Sequence, residues 1–370
     1  MTVRVAQYYP RALTGDGGMT RAIHRLSQTM QAHGADTRII CDAGPLPPPT
    51  EGEVCWRSIP HRRIAGRVFP DPAQLARALR GADVLILNSA WTLHNVVAAA
   101  VARRLAVPYI IAPRGAYDPR IRGRHRIAKD AWWLAAERHL LGRSLAVHLF
   151  FESEWPHLQQ LGYRGQVIVA PNGVDVPSDI RWDGGSDRTV LWLGRFDPEH
   201  KGIDILLRAI ELIPPPDRPR VRLCGPDWRG RKRTVAQLVG QLELGPWVTV
   251  AEPIHGREKL ELMARASAFV YPSRWEGFGN SVAEAASVGA PVLVTPYPLG
   301  RFLASRGAAV MAAPTPAELA AGLTTVLSPA WSDAGARARQ VAAECFNWDM
   351  VAQRWLQGID QALANARRRP

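Results

Sequence analysis

The chain has 370 residues, 47% of them apolar, and a formal net charge of +13. That length suits two domains of roughly 150 residues each. The apolar fraction excludes a disordered polymer, and no apolar run approaches the ~18 residues of a membrane span. The positive charge favours anionic partners such as nucleotides, acidic lipid surfaces or nucleic acid.

The first residues, with Val3–Gln7 at their centre, read as a short buried strand. They lack the apolar stretch and cleavage site of a secretory leader, so a cytoplasmic protein is expected. Met19–His33 reads as a helix with Ile23, Leu26 and Met30 on one face, and Gly34 stops it. Thr37–Cys41 is the next strand, and Pro45–Thr50 a proline-rich loop. Leu75–Leu79 (helix), Asp83–Leu87 (strand), Val96–Leu105 (helix) and Pro108–Ala112 (strand) continue a β–α–β rhythm. Such a rhythm implies a parallel sheet covered on both faces. Pro171–Arg188, rich in Pro, Gly, Asp and Ser, interrupts it as a linker would.

The rhythm restarts with Thr189–Leu193 (strand), Gly202–Glu211 (helix), Val221–Cys224 (strand) and Thr234–Leu242 (helix). Val248–Val250, Ala268–Tyr271 and Val292–Thr295 are further strands, and Trp348–Ala364 is one long helix. The expected fold is α/β: two Rossmann-like, doubly wound domains facing across a cleft, where ligands of such folds bind. The expected boundaries are residues 1–172, a linker at 173–188, residues 189–346, and a final helix in 347–370. Cys41, Cys55, Cys224 and Cys345 show no C-x-x-C spacing and read as buried free thiols.

Two motifs carry chemistry. Glu276-Gly-Phe-Gly-Asn-Ser-Val-Ala-Glu284 follows a strand and opens a helix. Gly277 and Gly279 let the backbone bend and approach a ligand. The N–H groups around Phe278, Gly279 and Asn280 form a helix N-terminus suited to phosphate. Glu276 and Glu284, eight residues apart, can face a sugar and a ribose, or Glu284 can simply serve the helix dipole. Leu193-Gly-Arg195-Phe-Asp-Pro-Glu-His-Lys201-Gly sets two cations six residues apart between a strand and a helix. They suit a diphosphate, or form an ordinary solvated loop.

These elements, E-x7-E and the upstream G-R-x5-K-G, resemble those of the family 4 retaining glycosyltransferases, which have the GT-B fold. Gly17-Gly18-Met-Thr-Arg is similar to that family's glycine-rich turn after the first strand. Ala170-Pro-Asn-Gly-Val-Asp175 resembles the close of its N-terminal domain, and Phe346-Asn-Trp-Asp the start of a C-terminal helix crossing back to the first domain.

The resemblance implies an acceptor-binding first domain and a nucleotide-sugar-binding second domain. Arg195 and Lys201 would hold the donor diphosphate, and Glu276 the hydroxyls of the transferred sugar. The Phe278–Asn280 backbone would take phosphate or sugar, Glu284 the ribose, Gly18 the phosphates, and Gly225 and Ile254 the base. Where many relatives have a His after the strand matching Pro108–Ala112, this chain has Pro113-Arg114-Gly115, as do some polysaccharide-building relatives. Arg114 then faces donor or acceptor, or positions the loop.

The implied reaction retains the anomeric configuration. The leaving phosphate oxygen takes the acceptor's proton, and Arg195, Lys201 and the helix N-terminus stabilise the growing charge. No D-x-D element is placed for a divalent cation, so neither metal nor other cofactor is expected. Lys201→Ala and Glu276→Ala are each expected to lose most transfer while folding normally.

UDP- and GDP-sugars are the leading donors, and a glycan, a lipid-linked glycan or a small aglycone the acceptor. From Arg114 to Arg143 eight cations (Arg114, Arg120, Arg122, Arg124, Arg126, Lys129, Arg138, Arg143) face three acids (Asp118, Asp130, Glu137), with Trp132 and Trp133 among them. The stretch either rests on an anionic membrane or lipid diphosphate, or is a solvated helix whose Trp residues pack inward. Trp91 and His94 are further acceptor-side candidates, His94 as a local hydrogen-bonding residue or a base. A degenerate, inactive sugar-nucleotide binder is one option, made less favoured by the full set Arg195, Lys201, Glu276 and Glu284, and two other readings stand beside transfer. One is a sugar-nucleotide epimerase. The other is a nucleic-acid or anionic-polymer binder, although no nucleic-acid motif is found and no nucleic-acid partner is expected.

Overall fold

The computed structural model describes residues 2–10, 18–42, 54–64, 66–123 and 125–368; Gly17, the stretch Pro45–Thr50 and Arg124 lie outside them. The chain divides into two compact units. The first is Met1–Gly173 with Trp348–Pro370, the second Val174–Asn347.

The first unit contains β1 (Arg4–Tyr8), β2 (Asp36–Asp42), β3 (Cys55–Ile59), β4 (His61–Ile64), β5 (Arg67–Pro70), β6 (Val84–Asn88), β7 (Tyr109–Ala112), β8 (Ala146–Leu149) and β9 (Val167–Val169). Seven strands form one sheet in the order β3-β2-β1-β6-β7-β8-β9, each pair parallel. β4 and β5 pair separately as an antiparallel hairpin.

The run Val84-Leu-Ile-Leu is apolar throughout because β6 is covered on both faces. Val84 and Ile86 meet Leu26 and Met30 of the helix Gly18–Ala32, and Val351, Trp355 and Ile359 of the helix Trp348–Arg368. Leu85 and Leu87 meet Leu75, Leu79, Ala98 and Ala102 on the opposite face. The last helix carries an apolar stripe at helical spacing, Val351, Trp355, Ile359 and Ala362, all buried. Gly358 brings it close to the sheet, since a Cβ there would lie 2.8 Å from Ile168 Cγ2. The final helix therefore belongs with the first unit's core.

The second unit contains β10 (Thr189–Leu193), β11 (Arg220–Cys224), β12 (Val248–Ala251), β13 (Ala268–Tyr271), β14 (Val292–Val294) and β15 (Val310–Met311). Their order is β12-β11-β10-β13-β14-β15, again all parallel. This is the doubly wound order, reversing between β10 and β13. Ligands of such sheets bind beyond the carboxyl ends of the strands at that reversal. The corresponding point in the first unit lies between β1 and β6.

Among the described residues no helix is long and apolar enough to cross a membrane. The expectation of buried thiols holds for Cys41 and Cys224 but not for Cys55, which is exposed, or Cys345, which is half-buried. Cys55 opens β3 at the sheet edge, where only one neighbouring strand covers it.

Candidate functional site

In the second unit the Arg195 and Glu276 loops leave the carboxyl ends of β10 and β13, the two strands at the reversal. Three glycines permit the approach. A Cβ on Gly225, just after β11, would fall 1.7 Å from Gly194 O. One on Gly202, where φ is +68°, would fall 2.0 Å from Pro272 O. Gly279 has φ of +102° and caps the helix Asn280–Val288. The chain bends at Gly277 and Phe278, but of the two glycines Gly279 alone takes a positive φ.

Lys201 ends the short helix Pro198–Lys201 and is buried. Its Nζ donates to Glu276 Oε1 at 2.6 Å and to the Tyr271 hydroxyl at 2.8 Å. An ammonium has three donors, so one N–H is left for a ligand. Ser273 Oγ lies 2.7 Å from the same Glu276 oxygen. Burial, the largest influence, would raise the Glu276 pKa, but Lys201, His200 and the Ser273 hydroxyl together outweigh it and the carboxyl is held below its usual range. Oε2 of this carboxylate accepts no hydrogen bond among the described residues and can receive hydroxyls. Sequence alone gives Lys201 and Glu276 separate ligands; the structure pairs them. Truncating one partner of a buried pair costs about 3–5 kcal/mol, so the expectation that alanine variants fold normally is not supported by this geometry.

Arg195 is held by His200. Its Nη2 lies 3.2 Å from His200 Nδ1, while His200 Nε2 lies 2.9 Å from Trp275 O. Because Arg donates only, Nδ1 must accept, and Nε2 carries the proton given to Trp275 O. The ring stacks on Trp275 at 4.4 Å. Burial first, and the Lys201 charge second, push His200 down to about 4, so it is neutral at pH 7 and keeps this tautomer. The guanidinium of Arg195 also lies over the Trp228 ring at 4.5 Å.

Glu284 sits on the helix Asn280–Val288, and its Oε1 is 2.5 Å from Lys259 Nζ on the helix Gly256–Arg265. Phe278 turns its ring inward against Phe346, centroids 5.7 Å apart, so only its backbone is available to a ligand. Asn280 is the first residue of its helix. Gly225 follows β11, the neighbour of β10 and its Arg195 loop, and Ile254 follows β12, one strand further out.

In the first unit Gly18 is the first residue of its helix. Arg114 follows β7 with φ of +54°, and its Nη2 and Nε reach Asn88 Oδ1 at 2.7 and 3.1 Å. Trp91 also has positive φ, +62°, and its indole N–H donates to Ala116 O at 2.9 Å. Its backbone N–H points at the buried Glu137 carboxylate, which also takes the Tyr117 hydroxyl at 2.7 Å and Trp132 Nε1 at 2.9 Å. Burial raises the Glu137 pKa. His94 Nε2 lies 3.3 Å from Asp42 Oδ2. Trp132 and Trp133 are half-buried rather than displayed. The large apolar side chains exposed among the described residues of this basic stretch are Ile127 and Leu134, 88% and 58% accessible.

A cavity of about 750 Å³ lined by Pro108, Leu145, Gln166 and Arg143 lies at the amino ends of β7, β8 and β9. It holds none of the donor-site candidates nor Trp91 or His94, while Trp133, Arg138 and Arg143 of the basic stretch line it. Sequence reasoning missed Tyr271, Ser273, His200, Lys259 and Glu137. His200 had one usable signal, its place beside Lys201 in the Arg195 loop. The others become neighbours only through the parallel crossovers.

Residues 16–177 match the Glycosyltransferase Family 4 model and residues 187–329 the Glycosyl transferases group 1 model. The chain is 35% identical over 115 residues to O-antigen chain mannosyltransferase B of Escherichia coli, covering 31% of this chain and 29% of that protein. It is 27% identical to the D-inositol 3-phosphate glycosyltransferase of Frankia alni, across 95% of this chain and 97% of the relative. The Anabaena Alr3699/HepE structure in complex with UDP-glucose superposes with a TM-score of 0.76 at 17% identity, covering 97% of this chain and 99% of that one.

Proposed function

The chain belongs to the family 4 glycosyltransferases of GT-B fold, and from that premise we propose that it moves a sugar from a UDP- or GDP-sugar to a glycan, lipid-linked or small aglycone acceptor, with retention and without a metal. The carrying observation is the cation set at the reversal of the second sheet. Lys201 is anchored by Glu276 and Tyr271, and Arg195 by His200, beside the N-terminus of the helix Asn280–Val288.

In the proposed reaction the bond from the sugar's anomeric carbon to the leaving phosphate oxygen breaks. The acceptor oxygen bonds to that carbon on the same face, and the departing phosphate oxygen takes the acceptor's proton. Arg195, Lys201 and the helix N-terminus stabilise the negative charge that grows on the diphosphate. Glu276 Oε2 accepts hydroxyls of the sugar, and Glu284 those of the ribose. Two fixed cations serve the diphosphate as a divalent ion would. Among the described residues no group of three or more His, Cys, Asp or Glu is placed to hold a metal.

The first unit carries the acceptor in this reading, with Trp91 and His94 near the carboxyl end of β6. The relative from Escherichia coli, by its name, builds an O-antigen chain, and a role in polysaccharide assembly at the inner face of a membrane follows as part of the proposal. Nucleic-acid binding and epimerisation give way to transfer as the main activity.

The test is calorimetric titration with UDP and GDP in EDTA, followed by NMR of the product's anomeric configuration. Tight binding of one nucleotide and a retained anomer are expected. An inverted product, or turnover abolished by EDTA and restored by a divalent ion, overturns the mechanism.

A further inference from the structure

Arg114 stands at the end of a buried polar chain that runs through three elements of the first unit. Ser27 Oγ donates to Ile23 O at 2.9 Å and receives Gln7 Nε2 at 2.6 Å. Gln7 Oε1 then accepts Asn88 Nδ2 at 3.3 Å, and that amide also reaches Tyr8 O at 3.4 Å. With its nitrogen so occupied, Asn88 must turn its oxygen toward Arg114. A second amide oxygen, Asn172 Oδ1, takes Arg114 Nη1 at 3.3 Å from beyond β9. Gln7, Ser27 and Asn88 are fully buried.

Every one of these partners is neutral. Phe150 and Trp355 flank the guanidinium at 5.7 and 6.0 Å. His148, stacked on Trp355, is driven neutral by burial and then by Arg114 itself. Among the described residues no carboxylate pairs with Arg114. Burial lowers its pKa only to about 10, so it stays charged at neutral pH. A half-buried cation without a counter-charge is costly, and here it also sits on left-handed backbone. Five N–H donors less three committed leave one on each terminal nitrogen, enough for a two-point contact with an anion. The group lies at the carboxyl ends of β6 and β7, the ligand edge of a doubly wound sheet.

We infer that Arg114, fixed by Asn88 and Asn172, anchors an anion subsite in the first unit that grips a phosphate or carboxylate group of the acceptor. The assignment to the acceptor rests on the reading of the first unit as the acceptor half. Phosphate of a lipid-linked acceptor and carboxylate of an acidic sugar share this chemistry. A neutral acceptor would leave the cation uncompensated.

The intact protein, with its donor half saturated by whichever of UDP or GDP binds, is titrated at low ionic strength with inorganic pyrophosphate and separately with glucuronic acid. The wild type is expected to bind at least one of them, and the preferred probe tells phosphate from carboxylate. Arg114→Gln should weaken that binding at least tenfold while nucleotide affinity is unchanged. Asn172→Asp, which supplies an internal counter-ion next to Nη1, should abolish anion binding and raise the melting temperature. It keeps the test open if Arg114→Gln does not fold. Absence of binding by the wild type, full binding by Asn172→Asp, or a loss in Arg114→Gln confined to nucleotide affinity overturns the inference. Failure of both nucleotides to bind counts against the transferase reading alone, because pyrophosphate binding can still be measured without them.

Discussion

Lys201 Nζ and Glu276 Oε1 stand 2.6 Å apart although 75 residues separate them in the chain. Each side chain is only 10% accessible, so each depends on the other to remain charged away from water. The pair gives the second unit a lysine with one uncommitted N–H, at the end of a short helix, and a carboxylate with one uncommitted oxygen, on the loop after β13. A single contact thus prepares an electrophile for phosphate and an acceptor for hydroxyls.

Removing either partner alone should therefore cost both stability and rate. Lys201→Ala is expected to lose about 3–5 kcal/mol of unfolding free energy and on the order of 10²–10³ in kcat. Glu276→Gln keeps shape and hydrogen bonding, so it should lose less stability and still lose most turnover. The double variant Lys201→Met, Glu276→Leu should recover stability relative to Lys201→Ala without recovering any rate. Urea unfolding with single-turnover assays measures both. Equal stability of Lys201→Ala and wild type would show that the pair is not closed in solution.

The neutral His200 makes stability depend on pH. Its imidazole titrates near 6.5 when unfolded but near 4 in the fold. Between those values the unfolded chain binds more protons. The contribution is whole above about pH 6.5 and shrinks as pH falls toward 4. Its size is on the order of 2–3 kcal/mol, with a further share in the same direction from buried His148. His200→Gln should flatten the curve of unfolding free energy against pH between 7 and 5 without abolishing it. A variant as steep as wild type would place the sensitivity elsewhere.

The fold was legible because its signals are local. Runs such as Val84-Leu-Ile-Leu announce buried parallel strands, and Arg195, Lys201 and Glu276 mark loops between a strand and a helix. The supporting shell was not legible. Tyr271 reads as the last residue of a strand, Asn88 as another, and nothing in their spacing tells that one receives Lys201 and the other Arg114. Trp132 and Trp133 leave two readings open for a related reason. In a basic segment they suit a surface belt or inward packing, and the choice for Trp132 is made by the Glu137 carboxylate that draws it inward, with Tyr117 and Trp91 from other parts of the chain bonded to the same group.

Gly225→Ala should be the most disruptive change of a single methyl group at the site. The new Cβ would overlap Gly194 O at 1.7 Å, and the obstacle is backbone rather than a side chain that can swing away. Overpacking of this kind costs typically 1–3 kcal/mol and sometimes more. The relaxation must displace the loop that carries Arg195. Nucleotide affinity is expected to fall at least tenfold even where the protein still folds. Gly240→Ala, on a helix with nothing within 4 Å of the added carbon, is the matched control and should be neutral or slightly stabilising. Similar nucleotide affinity in the two variants would mean that the Gly194–Gly225 contact does not position the site.

Membrane contact, if the basic stretch supplies it, runs through the side chains that the fold leaves outside. Ile127 and Leu134 are the large apolar residues exposed there among the described residues, with Arg126 and Arg138 also exposed. An apolar pair among cations suits an anionic bilayer surface, each nearby cation contributing about 1 kcal/mol. The double variant Ile127→Asp, Leu134→Asp should reduce co-sedimentation with vesicles containing phosphatidylglycerol by about tenfold or more, while UDP or GDP affinity stays at the wild-type value. Raising the salt concentration should weaken the wild type in the same assay, because the Debye length shrinks from about 10 Å at 0.1 M to about 3 Å at 1 M. Equal sedimentation of variant and wild type would leave the stretch as a solvated basic helix.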